Sequence, residues 1–222
     1  MLQNYRSKGV LAVFALILLS GFAIAQGLPF LPTVLTIQTE GQPTIGKLNS
    51  SVEVVVFEEP KCPACKRFSE IVYPQIKKNY LDTDKIRYTM IPVSFLPLSM
   101  PAAEAWLCVY HQVADHPNSA LFFNFVETTY AKQPEENSNW ATPDNLEKIA
   151  KQASPLIDTE ALKACLSKET YKSQIEKNTK YGNTLMKGRL TTPSIFVNGV
   201  KVENPNYAAV SRQIELALKA KD

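Results

Sequence analysis

Histidine is close to missing from this chain. Two of its 222 residues are His, His111 and His116, and only four are Cys. A zinc site takes about four ligands of these types, yet only Cys62 and Cys65 are near each other, and Cys108 and Cys165 stand singly in helix-like runs. A metal centre is therefore disfavoured, and the two histidines read as structural or exposed. An excess of one charge is lacking as well: 24 Lys and Arg stand against 21 Asp and Glu. That balance gives no electrostatic reason to expect a nucleic-acid partner. Internal repeats and low-complexity segments are absent.

Long apolar runs are lacking too, except in MLQNYRSKGVLAVFALILLSGFAIA. Arg6 and Lys8 precede the apolar run Val10–Ala25, and Ala23-Ile24-Ala25 is a small-x-small site. This is the pattern of a secretory signal peptide over residues 1–25. The alternative is an uncleaved anchor. The run is short for a span of ~20 residues, although Leu28–Leu35 can extend it. Cleavage after residue 25 of 222 leaves 197, and takes two of the 24 basic residues and none of the 21 acidic ones. That length suffices for one sizeable core. Export exposes all four cysteines to an oxidising compartment, where disulfides persist.

What is present reads as an α/β chain. GLPFLPT (27–33) is an extended linker because Pro29 and Pro32 resist helix. VLTIQ (34–38) suggests a short first strand, and the Gly/Pro/Ser-punctuated GQPTIGKLNSS (41–51) a loop. VEVVVF (52–57) is β-branched and apolar throughout, as a strand buried on both faces is. A helix over 63–80 follows, with Phe68, Ile71, Val72 and Ile76 at helical spacing and Pro74 expected to kink it. IRYTMIPV (86–93) completes a βαβ unit, which implies a parallel strand pair. Residues 98–187 hold only helical runs, near 100–115, 117–132, 142–153, 158–168 and 169–187, with Asn118, Thr142 and Asp158 as N-caps. SIFV (194–197), Asn198-Gly199 and 200–203 form a hairpin on a type I′ turn. A final amphipathic helix covers 207–220.

The chemistry lies in EEPKCPACKRFSE (58–70). A C-x-x-C between a buried strand and a helix reads as a redox pair. A purely structural local bridge is the weaker reading, since disulfide stabilisation grows with loop length. Cys62 precedes Pro63, which is tolerated in a helical first turn. The free N–H groups and positive dipole end of that helix favour a thiolate at Cys62. Cys65 lies one turn in. Cys62 is therefore the expected nucleophile and Cys65 the resolving thiol. Far along the chain, Thr192-Pro193 opens a strand, where proline is confined to the first position. A cis bond there would free backbone groups to pair with an extended substrate chain.

VEVVVFEEPKCPACKRF, the helical stretch, and TTPSIFVNG before a last helix together resemble the bacterial DsbA family of secreted thiol–disulfide oxidoreductases. The resemblance runs through essentially all of the chain after residue 25. It implies a thioredoxin-like fold interrupted by a helical insertion domain, divided as 26–97, 98–188 and 189–222. It also implies oxidation of cysteines in reduced exported proteins, re-oxidation by a DsbB-like membrane quinone reductase, and no bound cofactor. Three departures matter. Ala64 stands where strongly oxidising members carry His, which implies a milder oxidant. Val56 stands six residues before Cys62, where relatives hold a buried acid. Thr192 before Pro193 resembles the isomerase and reductase branches, so a reductase or isomerase of the same compartment is the alternative. A non-redox chaperone-like binding protein on the same scaffold is a more distant one.

Glu58 and Glu59 are nearer candidates for proton transfer. As exposed residue types they read rather as solvated loop acids, and as charges near Cys62 they would raise its pKa. Cys108 and Cys165 are expected to form a structural disulfide, the alternative being two buried free thiols. Trp106, Phe122, Phe123, Phe125 and Tyr130 read as core. Phe95, Leu96 and Leu98 are the candidate apolar surface for unfolded substrates. No further N-terminal dimerisation domain fits before Gln38, and a monomer is expected.

Overall fold

The computed structural model describes residues 33–112 and 119–220. The signal-peptide reading, His116 and the Asn118 cap lie outside the described residues. Five strands form one sheet in the order β1-β3-β2-β4-β5: β1 Thr44–Gly46, β2 Glu53–Glu58, β3 Arg87–Pro92, β4 Ser194–Val197 and β5 Val200–Val202. The β2–β3 pair is parallel and the other pairs are antiparallel.

Central strand β2 explains how the two faces are covered. Val54 and Val56 point into the larger core with Tyr88 and Met90, whereas Val55 and Phe57 point into a second cluster with Phe196 and Met186. Alternation with a period of two sends every other side chain to the same face. Both faces are covered, so the strand can be apolar throughout.

The helix between β2 and β3 is composite. α1 (Pro63–Arg67) runs into a π-helical turn (Phe68–Val72), α2 (Tyr73–Ile76) and a second π-helical turn (Lys77–Leu81). Pro74 has no N–H to donate, and widened turns accommodate that loss without ending the helix. The remaining helices are α3 Met100–Tyr110, α4 Ser119–Ala131, α5 Pro143–Ala153, α6 Thr159–Ser167, α7 Lys172–Leu185 and α8 Tyr207–Lys219. The Thr142 and Asp158 side chains accept from Asn145 N–H (3.4 Å) and Ala161 N–H (2.9 Å), as N-caps do. Asn198 and Gly199 both have positive φ, 46° and 79°, as a type I′ turn requires. A side chain on Gly199 would collide with the backbone of Leu35.

The first strand differs from expectation. Val34 makes only an isolated bridge to Val200, and Thr44–Gly46, inside the stretch read as loop, pairs with β3 instead. Thr44 hydrogen-bonds Thr89 through their hydroxyls at 2.9 Å. Three paired residues carry too little pattern to stand out among Gly and Pro.

The predicted aromatic core is present. Trp106, Phe122, Phe125 and Tyr130 are fully buried, and Phe123 nearly so. Cys108 and Cys165 form a disulfide that ties α3 to α6 across 57 residues. Removing it by Cys108→Ala/Cys165→Ala should lower unfolding free energy by about 3–5 kcal/mol, measured by denaturant titration of the oxidised protein.

Candidate active site

β2 runs one residue further than the sequence pattern suggests, and that residue is Glu58. Strand parity places it on the same face as Val54 and Val56, inside the larger core. Glu58 is 2 % exposed and Glu59 is 0 % exposed. The reading of both as solvated loop acids is thus overturned. The chain then turns sharply: Cys62 N–H donates to Glu59 O at 3.1 Å, and Lys61 N–H donates to the Glu59 carboxylate at 2.7 Å.

Helix α4 and the residues just after its end hold this turn from the side. Tyr130 donates to Glu59 O (3.2 Å) and Gln133 to Pro60 O (2.8 Å), and Lys66 reaches Gln133 O (3.1 Å). Lys61 is itself buried, and its ammonium donates to Pro97 O and Ser138 O at 2.8 and 2.9 Å. One lysine thereby ties the cysteine loop to two neighbouring loops. In the first of these, Phe95 and Leu98 stay exposed. Sequence reasoning missed Lys61, Tyr130 and Gln133 as site residues. A lysine between proline and cysteine looks like any exposed loop cation, so no signal singles it out.

Cys62 caps α1 in extended conformation (φ −71°, ψ 119°), and Pro63 occupies the first helical position. Cys62 is buried but keeps 9 % of its surface exposed, whereas Cys65 is 0 % exposed. The Thr192–Pro193 peptide opposite is cis, and the Cys62 thiol donates to Thr192 O at 3.3 Å. Two segments distant in sequence therefore meet at one sulfur: the turn from β2 into α1, and the start of β4.

The two thiols differ in acidity. The Cys65 thiol, Thr192 and the Cys65 and Ala64 N–H groups lower Cys62 to about 6, against burial, which raises it. The helix N–H groups contribute as expected, but the Cys65 thiol is the larger influence. The Thr192 hydroxyl is buried and has no other partner among the described residues, which leaves it free to donate to a thiolate. Burial, first, and then Cys62 and Glu58 push Cys65 well above the usual thiol range. Burial also raises Glu58 to about 8, opposed by Tyr130, and Glu59 to about 7, opposed by Ser99 and Lys61. Among the described residues no cluster of three or more His, Cys, Asp or Glu is arranged to hold a metal.

The thioredoxin family profile matches residues 38–216. The chain is 32 % identical over 188 residues to disulfide bond formation protein D of Bacillus subtilis, covering 82 % of this chain and 79 % of that one. The chain belongs to the DsbA family. Its fold matches the crystal structure of Chlamydia trachomatis DsbA with a TM-score of 0.78 and 34 % identity, over 85 % of this chain and 97 % of that one. Oxidised BdbD from Bacillus subtilis matches with a TM-score of 0.74 and 34 % identity, over 85 % and 98 % of the two chains. The expected thioredoxin-like fold is thus present, and this DsbA-family chain is a protein thiol–disulfide oxidoreductase.

An asymmetric pair should alkylate asymmetrically. Iodoacetamide should modify Cys62 of the reduced protein with a rate that falls as pH drops through about 6, because the thiolate is the reacting form. Cys65 should resist modification beyond pH 9. Mass spectrometry of quenched samples measures both.

Proposed function

We propose that this DsbA-family protein is an exported thiol oxidase that introduces disulfides into reduced, unfolded proteins. The observation that carries this reading is the split between Cys62, which caps α1, faces Thr192 and keeps 9 % of its surface exposed with a lowered pKa, and a sealed Cys65 with a raised one. A thiolate stabilised at pH 7 makes the dithiol form more favourable and the disulfide a better oxidant.

In the reaction a substrate thiolate attacks Cys62 Sγ of the disulfide form. The Cys62–Cys65 bond breaks, and Cys65 leaves and takes up a proton. A second substrate thiolate then attacks the substrate sulfur of the mixed disulfide, which releases Cys62 as a stabilised thiolate. Two electrons pass from substrate to enzyme, and no bound cofactor is required. Glu58 and Glu59, with pKa values raised towards neutrality, are suited to supply and accept the Cys65 proton. Thr192 and Pro193 align the substrate backbone beside Cys62, Pro63 and Ala64 shape the first turn, and exposed Phe95 and Leu98 offer apolar contact.

Turnover needs an oxidant for the dithiol, and a DsbB-like membrane quinone reductase fits that need. The basic, then apolar, then small-x-small pattern of residues 1–25 supports export of the chain, cleaved or anchored, with the site in the periplasm. The name of the Bacillus relative, a disulfide bond formation protein, supports the oxidising direction.

The oxidised protein should restore disulfides to a reduced, unfolded secreted protein. Cys62→Ser should abolish this, and the Cys65→Ser variant, offered a protein whose cysteines are already disulfide-bonded, should attack that disulfide through Cys62 and accumulate a mixed disulfide visible on non-reducing gels. Failure to oxidise, with retained capacity to reduce insulin in the presence of a dithiol, would contradict the oxidase reading.

A further inference from the structure

Between the end of β2, strand β3, the helix that follows Cys62 and helix α4, a small cavity of about 10 Å³ is lined by Glu58, Ser69, Tyr73, Tyr88 and Glu127, with Met90, Phe123 and Val126 as its apolar wall. Three polar atoms in this lining are fully sealed and have no hydrogen-bond partner among the described residues: Glu58 Oε2 and the hydroxyls of Tyr73 and Tyr88. Buried polar atoms are rarely left so. A buried water needs roughly this much room and 2–4 polar partners, and the cavity offers both.

Local structure places these groups on purpose-built positions. Parity along β2 brings in Glu58, and register with β3 sets Tyr88 opposite Val54. The π-helical turn Phe68–Val72 ends where Tyr73 begins. The Tyr73 ring lies 5.2 Å from Tyr88 and stacks on Phe123 at 6.0 Å, which holds both tyrosine rings in the cavity wall. Glu127, on α4, lines the same cavity from an exposed position.

We propose that Glu58, one water in this cavity, the Tyr73 and Tyr88 hydroxyls and Glu127 form the route by which the Cys65 proton passes to and from solvent. The inference rests on the reading of Cys65 as the resolving thiol. Cys65 itself is sealed, so its proton needs a path other than direct contact with water. A charge on Glu58 disfavours ionisation of Cys65. The other titratable groups around Glu58 are Cys62, Glu59 and Lys61 on the loop and Tyr130 on α4, with Lys77 acting on Glu127 and Asp82 on Tyr73. None of these others lines the cavity. In the oxidising direction the leaving Cys65 thiolate takes the proton of Glu58, and the carboxylate is reprotonated through the water and tyrosines from Glu127. In the reverse direction Cys65 gives its proton to the Glu58 carboxylate before attacking Cys62 Sγ. Glu127 and the tyrosines act through Glu58 and are relay residues rather than catalytic ones.

Reaction of the reduced protein with glutathione disulfide separates the steps. First, the Cys62 thiolate forms a mixed disulfide and releases one glutathione thiolate. Second, Cys65 loses its proton and attacks Cys62 Sγ, releasing the other glutathione. Acid quenching and mass spectrometry follow both. Tyr73→Phe/Tyr88→Phe keeps the rings and Glu127→Gln alters an exposed side chain, so the fold is retained in at least the second. Both variants should leave the first step at its wild-type rate and slow the second by about tenfold or more. Added imidazole, a small proton carrier at the cavity mouth, should restore the second step in Glu127→Gln. Second steps at the wild-type rate in both variants, or slowing in Glu127→Gln that imidazole does not relieve, would overturn the relay. If wild-type protein forms no mixed disulfide on Cys62, the loss is at the first step. The exchange mechanism then fails, and the relay fails with it.

Discussion

One helix start sets the terms for this molecule. Cys62 is the residue that caps α1, and Cys65 lies three positions later on its first turn, so a single backbone geometry gives two sulfurs opposite environments. The cap position collects N–H groups of the turn and the positive end of the helix dipole, while the inner position is sealed by the core. A thiol lowered to about 6 is ~90 % ionised at pH 7, and its partner stays protonated. Because the Cys62 pKa is depressed on folding, it stabilises the dithiol form, fully so above the unfolded thiol pKa and no longer once the pH falls below about 6. The disulfide form gains nothing from this, and the difference is oxidising power.

The rest of the structure serves to hold that start in place. Sheet pairing fixes β2 between β3 and β4, which brings the β4 opening, with Thr192 and Pro193, against Cys62. The helical insertion grips the loop through Tyr130 and Gln133, and the Lys61 ammonium joins it to Pro97 and Ser138. Burying Glu58, Glu59 and Lys61 is unfavourable for charged forms. Lys61 is compensated by two carbonyls, Glu59 by an N–H, and the raised pKa of Glu58 lets it persist as a neutral acid near pH 7.

Much of this was legible beforehand, and the exceptions share a cause. β-branched β2, the Asn198-Gly199 turn and the Thr142 and Asp158 caps are local signals, each with its physics in adjacent residues. The C-P-A-C pair and Thr192-Pro193 were legible because helix caps and strand-start prolines constrain residue type. Glu58 was misread because one extra residue of strand, decided by pairing with Pro92, turns a loop acid into a core acid. The roles of Lys61, Tyr88 and Glu127 depend on contacts across the fold, and no spacing in the chain encodes them. β1 escaped because three paired residues are too few to make a pattern.

The central claim, a Cys62 thiolate stabilised in the reduced protein, is tested most directly by the reduction potential of the Cys62–Cys65 couple as a function of pH. The account predicts a slope of about 59 mV per pH unit below pH 6, where two protons accompany two electrons, and about 30 mV above it, where one does. At pH 7 the potential should lie between about −270 and −120 mV. A single slope of about 59 mV per unit up to pH 8 would mean that Cys62 keeps an ordinary thiol, and would contradict the account.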